Sequence, residues 1–246
     1  MALQRIHRYR DLGELATGMA GRLARRIVEL QAIKDRVHIA LPGGTTAHAV
    51  FEALAGLAPA VQLDPSKLEL WWTSERYVPT TDLNRNSTQA LAILARTIQL
   101  VSAQVHPMPS TKGTTDPSEA AWAYAKDLGE VDFDICLLGL GVDGHVASIY
   151  PGHPSMRSQA EKGMRVIGVS EAPLPPAERI SVTLSTINRS DEVWLMAAGP
   201  SKAAAAARGI NHDDRIPAGL VHGLSATYWF LDRAAAAELP YHHCEF

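Results

Sequence analysis

An apolar run of strand length that ends in a glycine-dense bend constrains this chain more than any other feature. Phe133-Asp134-Ile135-Cys136-Leu137-Leu138 has the length and apolarity of a strand buried on both faces. It leads directly into Gly139-Leu140-Gly141-Val142-Asp143-Gly144-His145-Val146-Ala147-Ser148. The three glycines of that bend suit a backbone that visits positive φ or lets a ligand approach closely. His145 is therefore expected just past the carboxyl end of a central strand, the edge at which open α/β sheets bind ligands.

Helical and strand patterns alternate along the rest of the chain, which predicts an α/β fold: a doubly wound, mainly parallel sheet with helices on both faces. Leu12, Leu15, Met19, Leu23, Ile27 and Leu30 recur at helical spacing ahead of a short strand at Val37 to Leu41. Further helices are expected at 47–57, 87–97, 117–128, 201–208 and 232–239, and further strands at 68–73, 165–169, 180–184, 192–197 and 227–231. Residues 110–116 and 171–178 read as irregular loops, the second carrying three prolines. Neither is long or biased enough to be a linker, so one domain over residues 1–246 is expected.

The net charge of -3 comes from interspersed charges with no basic stripe, which argues against a nucleic-acid partner. Cys136 lies in an expected core strand and Cys244 near the C-terminus, too few and too differently placed for a disulfide framework. No run approaches the roughly 18 apolar residues of a membrane span, and the N-terminus lacks a signal-type segment. A cytoplasmic protein with no membrane partner is expected. The tail Tyr241-His242-His243-Cys244-Glu245-Phe246 has adjacent histidines without spaced partners, and reads as a solvated terminus, not a metal site.

Two further turns fall on the same sheet edge. Pro42-Gly43-Gly44-Thr45-Thr46 follows one strand and opens a helix, so its backbone N–H groups converge on an anion with help from the helix dipole. It lacks the Gly-Lys-Ser/Thr ending of a Walker loop and is no dinucleotide fingerprint, which disfavours a nucleotide there. Taken alone it is equally a turn with a threonine helix cap. Trp71-Trp72-Thr73-Ser74-Glu75-Arg76-Tyr77-Val78-Pro79, followed by Asn84-Arg85-Asn86-Ser87, ends the next strand and starts the next helix. Glu75 and Arg76 by themselves read as a solvated ion pair; their position on the ligand edge points to a site.

Together these segments resemble the 6-phosphogluconolactonase family, which shares its glucosamine-6-phosphate isomerase-like, Rossmann-like fold with the isomerase/deaminases. The resemblance runs nearly end to end, through Gly43-Gly44-Thr45, Trp72 to Pro79, Gly139 to Gly152, Arg179 with Thr183-Leu184, Gly199 with Lys202, and Ile216-Pro217-Ala218. It implies hydrolysis of 6-phospho-D-glucono-1,5-lactone to 6-phosphogluconate in the oxidative pentose phosphate pathway. The implied enzyme is a monomer or small homo-oligomer that needs no metal, nucleotide or other cofactor.

Lactone hydrolysis requires an activated water, stabilisation of a tetrahedral oxyanion and an anchor for a dianionic phosphate. His145 is the best general base, because a neutral imidazole accepts a water proton at cellular pH, and it matches the family's catalytic histidine. Asp143 either orients that imidazole or holds the loop by accepting backbone N–H groups. Gly43, Gly44 and Thr45 offer donors to phosphate. Arg179 and Lys202 match basic positions that bind phosphate in the related enzymes, Lys202 from another strand-to-helix turn, Gly199-Pro200-Ser201-Lys202. Arg76 is a further substrate contact whose role stays open between phosphate, product carboxylate and structural pairing. Ser148 lies near His145 without the glycine-flanked elbow of a serine esterase. His153 and His222 have ordinary loop explanations and are left outside the site.

One departure separates the alternatives within the family. Ser74-Glu75-Arg76 stands where the family usually has Asp-Glu-Arg. In the isomerase/deaminases an aspartate there moves a proton on substrate carbon, work for which serine has too high a pKa. A lactonase has no carbon proton to remove. Ser148-Ile149-Tyr150 also lacks the Phe-Asn-Glu that follows the histidine in the isomerases. A silent sugar-phosphate sensor is a second alternative, but such regulators carry a DNA-binding extension, and the first phosphate motif here begins at about residue 40.

Overall fold

The computed structural model describes residues 3–157 and 163–240. In chain order the first half runs β1 (Leu3–Tyr9), α1 (Leu12–Gln31), β2 (Val37–Leu41), α2 (Thr45–Leu57), β3 (Leu68–Trp72), β4 (Ser74–Arg76), α3 (Asn86–Leu94) and α4 (Pro117–Leu128). The second half runs β5 (Ile135–Gly139), α5 (Pro154–Arg157), β6 (Val166–Val169), β7 (Arg179–Val182), α6 (Leu184–Asn188), β8 (Glu192–Ala197), α7 (Ala203–Ile210), α8 (Pro217–Leu220) and β9 (Ala226–Asp232).

The helices start where side chains close their open N–H groups. Asp11 accepts the Glu14 N–H to begin α1, whose Leu15, Met19, Leu23, Ile27 and Leu30 form one buried stripe. Asp116 accepts from Ser118 and Glu119 to begin α4, with Pro117 in the first turn, where a missing N–H costs nothing.

Six strands form a parallel sheet in the order β1-β9-β8-β5-β2-β3. From β1 through β2 to β3 the chain crosses the sheet in one direction, and from β5 through β8 to β9 it returns in the other. Right-handed crossovers then place α1 and α2 together on one face, where α3 also packs on α2, and α7 on the opposite face, where Gly209 meets Trp229. β2 and β5 are neighbours whose outgoing connections diverge, so a crevice opens beyond their carboxyl ends.

A second, antiparallel sheet of β4-β7-β6 sits against that end. Thr73, between β3 and β4, joins the two sheets: its N–H donates to Leu41 O at 2.9 Å and its carbonyl accepts from Val182 N–H at 2.9 Å. α4 packs on β6 and β7. Cys136 is buried in β5, where loss of solvent pushes its thiol up to about 12. Cys244 and the histidine tail lie outside the described residues.

Several expectations are corrected. The segment 232–239 is not a helix: residues 233–238 are turns, Asp232 completes β9, and its carboxylate accepts from Gly199 N–H and Ala235 N–H, which fixes the chain in a bend. Leu184 does not end a strand but begins α6, capped by Thr183. The helix expected from Ser201 begins at Ala203, after a 3-10 turn over Pro200–Lys202. β1, the small antiparallel sheet, α5, α6 and α8 were not anticipated.

Candidate active site

The crevice beyond β2 and β5 has a volume of about 600 Å³, and Gly43, Gly44, Thr45, Arg76, His145, Arg179 and Lys202 all line it. That brings together every expected site residue except Asp143, which stands directly behind His145.

The bend after β5 is shaped around that pair. Gly144 N–H donates to Gly141 O, and Gly141 N–H donates to His145 O, closing a tight loop. A Cβ at Gly141 would fall 2.0 Å from His145 Nδ1 and 2.5 Å from Asp143 Oδ1, so glycine is required by the close approach of the two side chains. His145 Nδ1 lies 2.6 Å from Asp143 Oδ1, which also accepts the His145 backbone N–H at 3.1 Å. Asp143 Oδ1 thus touches both the imidazole and the loop backbone. Burial raises its pKa, but the hydrogen bonds from His145 outweigh this and hold the carboxyl below its usual range. A carboxylate on Nδ1 fixes the proton there and leaves Nε2 as the acceptor, and Nε2 has no hydrogen-bond partner among the described residues. The Tyr150 ring packs 4.8 Å from the imidazole, centroid to centroid, and limits its tilt.

Across the crevice, Gly44 takes φ +103° and no side chain caps α2. The first turn of α2 carries no acidic residue, so its N–H groups and dipole are directed at the opening. Gly43 is fixed by a neighbour: a Cβ there would meet Asn86 Oδ1 at 2.0 Å.

Three cations complete the lining. Arg76 and Arg179 face each other across the β4–β7 pairing. Arg76 Nη1 donates to Asn84 O at 2.6 Å and Asn86 Oδ1 at 2.8 Å, neither of them a carboxylate. Arg179 donates through Nε and Nη2 to the carbonyls of Leu174, Pro175 and Pro176, so it also holds the proline loop against the crevice. Burial pushes its pKa down, and Arg76 adds to this while Tyr150 opposes it; arginine stays charged throughout. Lys202 follows Gly199 at φ +93° and forms no ion pair among the described residues. Burial lowers its pKa and the nearby Asp143 charge partly restores it.

Glu75 is not a solvated partner of Arg76. It is 1% exposed and turned inward, accepting the backbone N–H groups of Arg76, Asn86 and Ser87 and the Ser87 hydroxyl. It therefore closes the start of α3 and fixes Asn86 beside Arg76. Asn86 and Ser74 also line the crevice; Ser74 was marked in the sequence only as the departure from the family's aspartate, and Asn86 only by membership of the polar stretch that opens α3. Ser148 is fully buried with its N–H on Ser181 Oγ, consistent with no nucleophilic role. His153 has both ring nitrogens engaged by Ser155 and Ser170, and His222 is exposed; neither lines the crevice. Groups of three or more metal-ligating side chains are absent among the described residues, and no described helix is long and apolar enough to cross a membrane.

A histidine backed by a carboxylate, facing three cations at the switch point of a parallel sheet, places the chain among α/β enzymes with their ligand crevice at the carboxyl edge. The chain belongs to the glucosamine-6-phosphate isomerase/6-phosphogluconolactonase family, whose model matches residues 10–229. It is 40% identical over 249 residues to a 6-phosphogluconolactonase of Streptomyces coelicolor, covering 96% of this chain and 94% of the relative. It is 40% identical over 236 residues to a 6-phosphogluconolactonase of Mycobacterium leprae, covering 91% and 94%. The crystal structure of a 6-phosphogluconolactonase from Thermotoga maritima superposes with a TM-score of 0.82 at 24% identity, over 94% of this chain and 100% of that one, a likeness of fold.

Proposed function

We propose that the chain hydrolyses 6-phospho-D-glucono-1,5-lactone to 6-phosphogluconate, with His145 as general base. The observation that carries this is the 2.6 Å contact between His145 Nδ1 and Asp143, which leaves Nε2 an acceptor in a crevice lined by three cations. Nε2 takes a proton from a water as its oxygen attacks the lactone carbonyl carbon. The Asp143 carboxylate stabilises the imidazolium that results. As the tetrahedral intermediate collapses, the ring oxygen leaves and takes that proton from Nε2, so one water is consumed and the catalyst is restored.

Lys202, Arg179 and the open first turn of α2 anchor the dianionic phosphate, with Gly43, Gly44 and Thr45 giving backbone or hydroxyl donors. Arg76 adds positive potential that favours both the substrate and the developing oxyanion. Ser74 leaves the crevice without the carboxylate that abstraction of a carbon-bound proton needs, which supports hydrolysis over isomerisation. The chemistry calls on no metal or organic cofactor, and we propose that it runs in one domain, in the cytoplasm.

The test is proton release from freshly generated lactone, with spontaneous hydrolysis subtracted, beside glucosamine 6-phosphate. Turnover of the lactone alone is expected. Turnover of glucosamine 6-phosphate alone, or of neither compound, would refute the reading.

A further inference from the structure

A second cleft, of about 340 Å³, lies between the outer end of α1 and the strands β1, β8 and β9, and shares no lining residue with the crevice. Its size is within the range of small-molecule sites. Arg22 and Arg25 are one turn apart on α1, and Arg5 faces them from β1. None of the three has a carboxylate partner within ion-pair distance among the described residues, whereas Arg26 beside them is paired with Glu29 and Glu192. Three guanidinium groups without a carboxylate partner therefore line one opening, beside the paired Arg26, Glu29 and Glu192, and their mutual repulsion is relieved by an anion.

The floor is aromatic. Glu192, 5% exposed, accepts from both Arg26 Nε and Trp194 Nε1, at 2.8 and 2.9 Å. Trp194 packs against Tyr228, and the His7 ring lies parallel to Tyr228 at 15° and 5.9 Å between centroids. His7 Nε2 is buried without any hydrogen-bond partner, although buried polar atoms nearly always have one. Burial and the charges of Arg22 and Arg5 lower the His7 pKa.

We propose that this cleft binds a nucleotide, its phosphates on Arg5, Arg22 and Arg25 and its base on the floor formed by His7 and Tyr228. A sugar phosphate would use neither the aromatic floor nor all three guanidinium groups. This site has no part in the hydrolysis proposed above.

Isothermal titration of the full chain with ADP, adenosine and inorganic pyrophosphate separates the contributions of ring and phosphate. ADP is expected to bind at least about tenfold more tightly than either fragment, and Arg22→Ala/Arg25→Ala to weaken it at least about tenfold, as loss of charge-assisted bonds requires. Arg5→Ala should act in the same direction. All these arginines are exposed, so thermal melting is expected to show the variants folded. Lys202→Ala, in the crevice, should leave ADP affinity unchanged, and Arg22→Ala/Arg25→Ala should leave lactone turnover unchanged. No binding at millimolar ADP, pyrophosphate binding as tightly as ADP, or ADP affinity lost with Lys202 and kept without Arg22 and Arg25 would each overturn the proposal.

Discussion

Asp143 and His145 are two residues apart, yet the absence of a side chain at Gly141 lets them meet as an oriented pair. Asp143→Asn preserves the shape of that pair but removes the charge that stabilises an imidazolium. It is expected to lower kcat about 10²- to 10⁴-fold with little change in KM, and steady-state kinetics on the lactone checks this. Gly141→Ala acts on the same pair from the backbone. Its methyl would displace the imidazole, so kcat should fall together with about 1–3 kcal/mol of stability, measured by denaturant titration. Lys202→Ala has a different signature. Loss of a charged hydrogen bond of about 1.5–3 kcal/mol to phosphate should appear chiefly as a KM roughly 10- to 100-fold higher.

At the scale of elements, α2 and α4 make opposite use of their N-termini. Asp116 closes α4, so Asp116→Ala should cost about 0.5–2 kcal/mol in thermal or chemical unfolding and leave lactone turnover unchanged. The start of α2 stays open, with Gly44 in place of a side-chain cap. What could be read from sequence follows the same logic. The stripe on α1, the Asp116-Pro117 start of α4 and the apolar run into the β5 bend each express local rules, and each formed where expected. β1 was not legible because it is an edge strand: Arg5, Ile6 and Arg8 are exposed, and its alternation is too weak to mark a buried face. Residues 232–239 misled because an alanine-rich segment has high helix propensity, which is overridden when the Asp232 carboxylate ties the segment to Gly199. Asn86 stood in a quoted polar stretch but could not be assigned to the site, because its approach to Gly43 joins two strand ends that only the tertiary fold brings together.

For the molecule as a whole, the titratable groups predict acid lability in two stages. Burial holds His7, His38 and His48 below the ordinary imidazole range, so the unfolded chain binds more protons and stability falls as the pH drops through about 6.5. In Glu69 and Asp143, hydrogen bonds outweigh the opposing effect of burial, and Arg215 and Arg208 hold Asp213 down. The stability these carboxylates contribute is complete above about pH 5 and is lost as the pH falls further. Melting temperatures should therefore decline from pH 8 to 5 and more steeply below 4; a rise between pH 7.5 and 5 would contradict this. The larger claim is that turns 98 residues apart in the chain, after Leu41 of β2 and Gly139 of β5, form one crevice in which the phosphate is held at one end and water is activated at the other. The most direct measurement is the kcat of His145→Asn on freshly generated lactone at saturating substrate, paired with binding of 6-phosphogluconate. A kcat at least about 100-fold lower with product affinity retained is predicted. An undiminished kcat, or loss of product binding with the fold intact, would contradict it.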